Sequence, residues 1–150
     1  MARKPYRARI GSVSTGTHRN EDLICAFVDE IAGSKLSKAH RKLVREANAW
    51  LDTAERDQSE GHELVNELFC ALNELAPPYT YFGSLDGDGA DFGFWPSLST
   101  VNDDKGSDDL PFADKVPKNY TGLAIDVNDH GNVTLFRYVR GKRSIVWDCV

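Results

Sequence analysis

The sequence predicts an α+β fold, in which three N-terminal amphipathic helices pack on a C-terminal antiparallel sheet of about five strands. Two observations support this prediction. Apolar residues recur at spacings of three and four up to Leu75, which is the period of a helix with one buried face. After Pro77 and Pro78, which end the helical pattern, apolar residues alternate as they do in strands. The three helices are the available cover for one face of that sheet.

Each predicted helix has a start or stop signal beside its apolar stripe. Asn20 is a predicted N-cap for the first helix and Gly33 follows its end, while Ser37 is a predicted N-cap for the second. A polar break at 57–61 precedes the third. The stripes contain Leu23, Phe27 and Ile31, then Leu43, Ala47 and Trp50, then Leu64, Leu68 and Leu72.

The second half reads as strands separated by turns. Strand-like runs lie at 79–82, 91–95, 123–127, 133–139 and 144–148. The turn-rich stretch 83–90 joins the first two runs as a hairpin, and 129–132 is a turn rich in residues that tolerate positive φ. Residues 97–118 are polar and predict a long loop.

Length and composition indicate a single globular domain. The chain has 150 residues, of which 41% are hydrophobic, and we expect one domain at 19–150 after a basic flexible arm at 1–18. No apolar run approaches the roughly 20 residues of a membrane span, and no signal-peptide core follows the basic start. Three scattered cysteines are typical of a reducing compartment, so a cytoplasmic location is expected.

Charge is distributed unevenly along the chain. Residues 1–50 have a net charge of +5 and residues 51–150 have −10, which together give the chain its −5. A surface of one sign attracts partners of the opposite sign, although charges also simply solvate different faces. Residues 83–114 hold eight Asp and one Lys, a local net charge of −7. Such a segment repels nucleic acid and attracts a basic protein groove.

The predicted partner-binding site lies in and beside this acidic segment. Six of the fifteen aromatic residues fall within 79–95, and aromatic side chains are frequent hot spots of protein interfaces. The alternative is that these rings pack under the acidic loop. The predicted contact residues are Asp86, Asp88, Asp91, Trp95, Asp103, Asp104, Asp108 and Asp109.

A second hypothesis is a small metal-dependent or acid/base enzyme that uses the Asp86–Asp91 loop with His130 as a proton-transfer group. The calcium-loop template of EF-hands fails here, since its sixth position is Asp91 and its twelfth is Ser97. A solvated turn is the favoured explanation of the Asp-Gly repeat. The sequence therefore predicts no catalytic residue, no metal ligand and no cofactor, and it favours a binding protein over an enzyme.

A third hypothesis concerns the basic residues of the first half. Arg3, Lys4, Arg7 and Arg9, with the edge of the second helix from Lys38 to Arg45, could contact nucleic acid. Basic tails and helix edges are also common solvated surfaces. Direct nucleic-acid binding is therefore not favoured, and the oligomeric state is left open.

Four runs of the sequence are distinctive, namely GTHRNEDL at 16–23, PPYTYFG at 77–83, GDGADFGFW at 87–95 and VNDHGNVTL at 127–135. Together they resemble a group of small uncharacterised proteins of bacteriophages, plasmids and other mobile elements. The resemblance implies an accessory protein that acts in the bacterial host against a defence system, of anti-CRISPR or related type. It transfers no functional residues. The partner that it implies is the basic surface of a host defence complex.

Overall fold

The computed structural model describes residues 9–34 and 36–149, and it confirms the α+β class. The chain divides into two compact units, Met1–Trp95 and Pro96–Val150. The first unit contains helices and a small sheet, and the second contains a short helix and another sheet. The boundaries expected from sequence, an arm at 1–18 and a domain at 19–150, stay a prediction.

The first unit contains the three predicted helices, α1 (Asn20–Ala32), α2 (Lys38–Asp52) and α3 (Gln58–Glu74). Ser37 caps α2 as predicted, since its side chain accepts a hydrogen bond from the His40 amide at 3.1 Å. The prediction of Asn20 as a cap is wrong, because Arg19 occupies that position. The Asn20 side chain is engaged elsewhere, donating to the backbone and side-chain oxygens of Gln58 at 3.2 and 3.1 Å.

Glu21 and Gln58 add a second link between the beginnings of α1 and α3. The Gln58 amide donates to a Glu21 carboxylate oxygen at 2.8 Å. Hydrogen bonds from the backbone and from Gln58 lower the pKa of Glu21, because both stabilise its ionised form. The two helix starts are therefore joined by polar contacts at the surface.

A three-stranded antiparallel sheet completes the first unit, with β1 (Gly11–Ser14), β2 (Thr80–Leu85) and β3 (Asp88–Pro96) in the order β1-β3-β2. Strand β1 falls within the segment expected to be an arm. It pairs with β3 so closely that a Cβ on Gly93 would overlap the backbone carbonyl of Gly11. Helix α1 packs on α2, α3 and β1, and α3 packs on β2.

Aromatic rings fill the space between these helices and the sheet. Phe27 of α1 and Phe94 of β3 are fully buried, and each meets the Phe82 ring edge-to-face at 5.1 Å between centroids. Ile24, Ile31, Leu68 and Leu72 surround them and are also fully buried. These are the apolar positions that the helical spacing predicted to face the core.

The second unit begins with α4 (Leu98–Asp104) and a 3₁₀ turn (Ala113–Lys115). It continues with β4 (Gly122–Val127), β5 (Val133–Val139) and β6 (Lys142–Cys149), which form an antiparallel sheet in the order β4-β5-β6. Ile125, Leu135 and Trp147 lie side by side across the three strands and are buried. The three strands expected at the end of the chain are confirmed.

Two expectations differ from the structure. The single sheet of about five strands is replaced by two three-stranded sheets, and 97–118 is not simply a loop. In this stretch Val101 and Leu110 are buried, and Phe112 forms a parallel bridge with Ile125 of β4. Val101 and Leu110 are nine residues apart, and Pro111 separates Leu110 from Phe112, so these residues produce no helical or strand-like period.

The contact between α2 and α3 depends on a residue without a side chain. Trp50 is buried, and its indole N–H donates to the Asp57 carbonyl at 2.9 Å. Gly61 of α3 lies against the indole ring so closely that an added Cβ would overlap it. The glycine is therefore required by packing and not by backbone conformation.

We expect Gly61→Ala to destabilise the protein by about 1–3 kcal/mol, because the added methyl group forces the indole out of its position. A loss of stability would be informative, because alanine is otherwise favoured over glycine inside a helix by about 1 kcal/mol. Urea denaturation measures the change. Gly89→Ala is the control, because the space around Gly89 is empty. A stabilised G61A protein would contradict the packing argument.

Candidate functional site

The β2–β3 hairpin places two of the predicted contact residues at its tip. Gly87 takes the positive φ of 88° that the turn between the strands requires. Asp86 and Asp88 flank it and are exposed. One oxygen of Asp88 also accepts a hydrogen bond from the Ala90 amide at 3.1 Å, which fixes the start of β3. The tip thus presents two carboxylates on a defined backbone.

Asp91 lies further along β3 and is half-buried. Its Oδ1 is buried and has no hydrogen-bond partner within 9–34 and 36–149. The backbone around it is fixed, because the Ala90 carbonyl accepts a hydrogen bond from the Gly16 amide at 3.1 Å and Phe92 packs edge-on to Phe27. Asp91 is therefore part of the strand, whereas Asp86 and Asp88 belong to the tip.

The aromatic residues of 79–95 contribute chiefly to packing. Phe82 and Phe94 are buried in the core, and Tyr79, Tyr81, Phe92 and Trp95 are half-buried. The Trp95 indole N–H donates to the Gly83 carbonyl at 2.9 Å and so joins β3 to β2. Phe82, Phe92 and Phe94 pack within the first unit, and the alternative that the outward rings pack under the acidic loop stays a prediction. Trp95 as a contact for a partner stays a prediction.

The other four predicted contacts belong to the second unit. Asp103, Asp108 and Asp109 are exposed and Asp104 is half-buried. Their backbone is ordered by α4 and by a short loop after it, in which the Gly106 amide donates to the Leu110 carbonyl at 2.8 Å. The predicted acidic residues other than Asp91 thus form two groups. The hairpin set, Asp86 and Asp88, lies in the first unit, and the loop set, Asp103, Asp104, Asp108 and Asp109, lies in the second.

His130, proposed as an acid/base group, lies in the turn between β4 and β5. The Asn128 side chain organises this turn by accepting hydrogen bonds from the amides of His130 and Asn132, at 3.0 and 2.9 Å. His130 is exposed, and its ring forms no hydrogen bond to a carboxylate among the residues that the structure describes. Over the same residues, no three His, Cys, Asp or Glu side chains are grouped so that they could hold a metal ion.

A groove between α2 and α3 was not expected from the sequence. His40 and Glu74 meet across it, with 3.2 Å between Nε2 and a carboxylate oxygen, and His40 Nδ1 is buried without a hydrogen-bond partner in the described chain. The groove has a volume of about 400 Å³. Its lining is Ala39, His40, Leu43, Asn66, Glu67, Cys70, Ala71 and Glu74. It can accommodate a small group with an apolar face and a hydrogen-bonding edge.

Comparison with known proteins adds no relative to this description. No protein-family model, no curated protein and no solved structure matches the chain. The resemblance to mobile-element proteins, and the anti-defence role that it implies, therefore stay predictions. Within the described part of the chain, no helix is both long enough and apolar enough to cross a membrane. Arg3, Lys4 and Arg7 of the predicted nucleic-acid-binding arm lie outside the described residues.

Leu110 is a buried anchor of the acidic loop set. Leu110 is fully buried between the aspartates and the 3₁₀ turn. We expect Leu110→Ala to lower the free energy of unfolding by about 2–5 kcal/mol, because it removes buried contacts and leaves a cavity. Leu98→Ala in α4 is the matched control. Leu98 is 47% exposed, so its truncation should change stability by only about 0.5 kcal/mol. Thermal or urea denaturation compares the two, and equal effects would contradict the anchoring role.

Proposed function

We propose that the chain is a mobile-element binding protein that inhibits a nucleic-acid-binding host defence protein by occupying its basic surface. The observation that supports this best is the exposure of five carboxylates on ordered backbone, at Asp86 and Asp88 and at Asp103, Asp108 and Asp109. Within the described residues none of the five lies within ion-pair distance of a cation. Their negative field is directed at solvent and is available to a partner.

A basic groove that binds phosphates is the complementary surface for such carboxylates. Opposite charges raise the association rate and orient the two proteins before contact. The backbone hydrogen bonds at Ala90 and Gly106 hold the carboxylates in position before binding. Less conformational freedom is then lost on association, which favours affinity.

The enzyme hypothesis has less support from geometry. No described contact joins His130 to a carboxylate that could orient it. Calorimetric titration with Ca²⁺, Mg²⁺ and Mn²⁺ tests its metal-dependent form, and saturable binding of one ion that Asp91→Asn abolishes would revive it.

The partner is identified with a tagged chain in nuclease-treated bacterial lysate at two salt concentrations, followed by mass spectrometry. We expect recovery of a nucleic-acid-binding defence protein, and weaker recovery at the higher salt concentration because ions screen the contact.

Charge variants then test the two acidic sets separately. The hairpin variant carries Asp86→Lys with Asp88→Asn, which keeps the oxygen that accepts from the Ala90 amide. The loop variant carries Asp103→Lys, Asp108→Lys and Asp109→Lys. We expect at least one variant to bind the recovered partner about tenfold more weakly or worse at 0.15 M salt, because like charges placed together cost several kcal/mol.

The control for these variants carries Asp52→Lys, Glu55→Lys and Glu63→Lys, which reverse three exposed charges elsewhere in the first unit. Its affinity should stay within about twofold of the parent, since surface substitutions away from a contact have small effects. Unchanged affinity in both the hairpin and the loop variants would refute the acidic-contact proposal.

A further inference from the structure

The sheet of the second unit has a basic end and an acidic end. The basic end, at the turn between β5 and β6, consists of Lys118, Arg137, Arg140, Lys142 and Arg143. The acidic end, at the opposite end of the same strands, contains Asp126, Asp129 and Asp148. Segments 117–123 and 137–145, which form the basic end, contain five cations and no Asp or Glu.

The turn of this hairpin fixes the cations relative to one another. Arg140 and Gly141 have φ angles of 50° and 81°, as a two-residue hairpin turn requires. Their amides donate to Thr121 Oγ1 and to the Tyr120 carbonyl, each at 2.9 Å. A Cβ on Gly141 would overlap the Lys118 carbonyl, so the segment that bears Lys118 lies directly against the turn.

Aromatic rings support this end of the sheet from one face. The Arg143 guanidinium lies 4.5 Å from the centroid of the Phe136 ring, an arrangement that positions the cation without neutralising it. Tyr138 is buried between Phe136 and Tyr120, at centroid distances of 6.4 and 5.6 Å. The Tyr120 hydroxyl donates to the Leu123 carbonyl at 2.7 Å. These rings are engaged with one another, so they do not form a free platform for stacking bases.

The five cations are all exposed, and none pairs with a carboxylate in the part of the chain that the structure describes. They occupy both faces and the tip of the hairpin. Arg143 is paired with Tyr138 and shares its face, whereas Arg137 points to the opposite face because successive strand side chains alternate. Arg137 and Arg140 are three residues apart, which is roughly 10 Å along a strand.

We propose that the basic end binds the phosphate backbone of double-stranded nucleic acid, independently of its base sequence. A duplex carries about one charge per 1.7 Å of its axis, so a compact group of five cations meets several phosphates at once. Affinity for single strands commonly relies on base stacking, which the engaged rings do not offer. This binding goes beyond the proposed inhibition and uses residues of the second unit alone.

The test measures binding of a labelled 20-base-pair duplex of arbitrary sequence by fluorescence anisotropy between 50 and 200 mM salt. The basic-end variant carries Lys118→Gln, Arg137→Gln, Arg140→Asn and Lys142→Gln. Asparagine is used at 140 because it tolerates positive φ, and Arg143 is retained because it packs on Phe136. The control variant carries Lys38→Gln, Arg41→Gln, Lys42→Gln and Arg45→Gln on the exposed edge of α2. This edge is the competing basic surface that the sequence offered for nucleic acid, so the comparison decides between the two surfaces.

Both sets of substitutions lower the net charge from −5 to −9, so a nonspecific effect of charge would weaken duplex binding by the two variants equally. We expect the basic-end variant to bind about tenfold more weakly or worse, while the control stays within about twofold of the parent. The slope of log K against log salt concentration should become shallower by about one for each phosphate contact removed. If the fourfold variant does not fold, Lys118→Gln and Lys142→Gln are measured singly, each with a slope change of about one.

Several outcomes would overturn the proposal. The parent protein would fail to bind the duplex at 50 mM salt, the two variants would lose affinity equally, or the α2 variant would lose more affinity than the basic-end variant. Tighter binding to a 20-nucleotide single strand would also contradict it. So would binding only to vesicles containing anionic phospholipid, because the cations would then serve a membrane surface.

Discussion

The first unit depends on the contacts of one ring, that of Phe82. Its edge-to-face partners come from three elements, Phe27 of α1, Phe69 of α3 and Phe94 of β3, at centroid distances of 5.1 to 5.3 Å. The Phe82 amide also donates to the Asn73 side chain at 3.1 Å, which joins β2 to α3. Because the hairpin is anchored to the helices through this residue, the positions of Asp86 and Asp88 follow from a hydrophobic contact beneath them.

Regular patterns made much of this fold predictable. The 3.6-residue period placed all three long helices, and alternation placed the final three strands. Helix α4 and the division into two sheets could not be predicted, because the buried residues Val101 and Leu110 are nine residues apart and give no periodic pattern. Pairing of strands is decided by contacts distant in sequence, which alternation within one strand does not encode.

The candidate surfaces also differ in how directly the sequence shows them. Acidic residues that are close in sequence were found directly, although the structure assigns them to two units. The groove at His40 and Glu74 joins residues 34 apart, and the basic end joins Lys118 to a hairpin some twenty residues later. The groove has no local signal, since it forms only when α2 and α3 pack. Four cations of the basic end lie within 137–143 and are visible in the sequence, whereas Lys118 joins them only through the fold. The aromatic residues of 79–95 were conspicuous in composition, and the structure shows that Phe82 and Phe94 among them are core residues.

The β2–β3 and β5–β6 turns differ in how much space surrounds their glycines. Nothing lies within 4 Å of a side chain added at Gly87 or Gly89, whereas Gly141 is closed in by the backbone of Lys118. The open turn has room for added residues, whereas at the closed turn added atoms would displace the segment that bears Lys118. Homologous chains should therefore differ in length more readily at the β2–β3 turn than at 140–141.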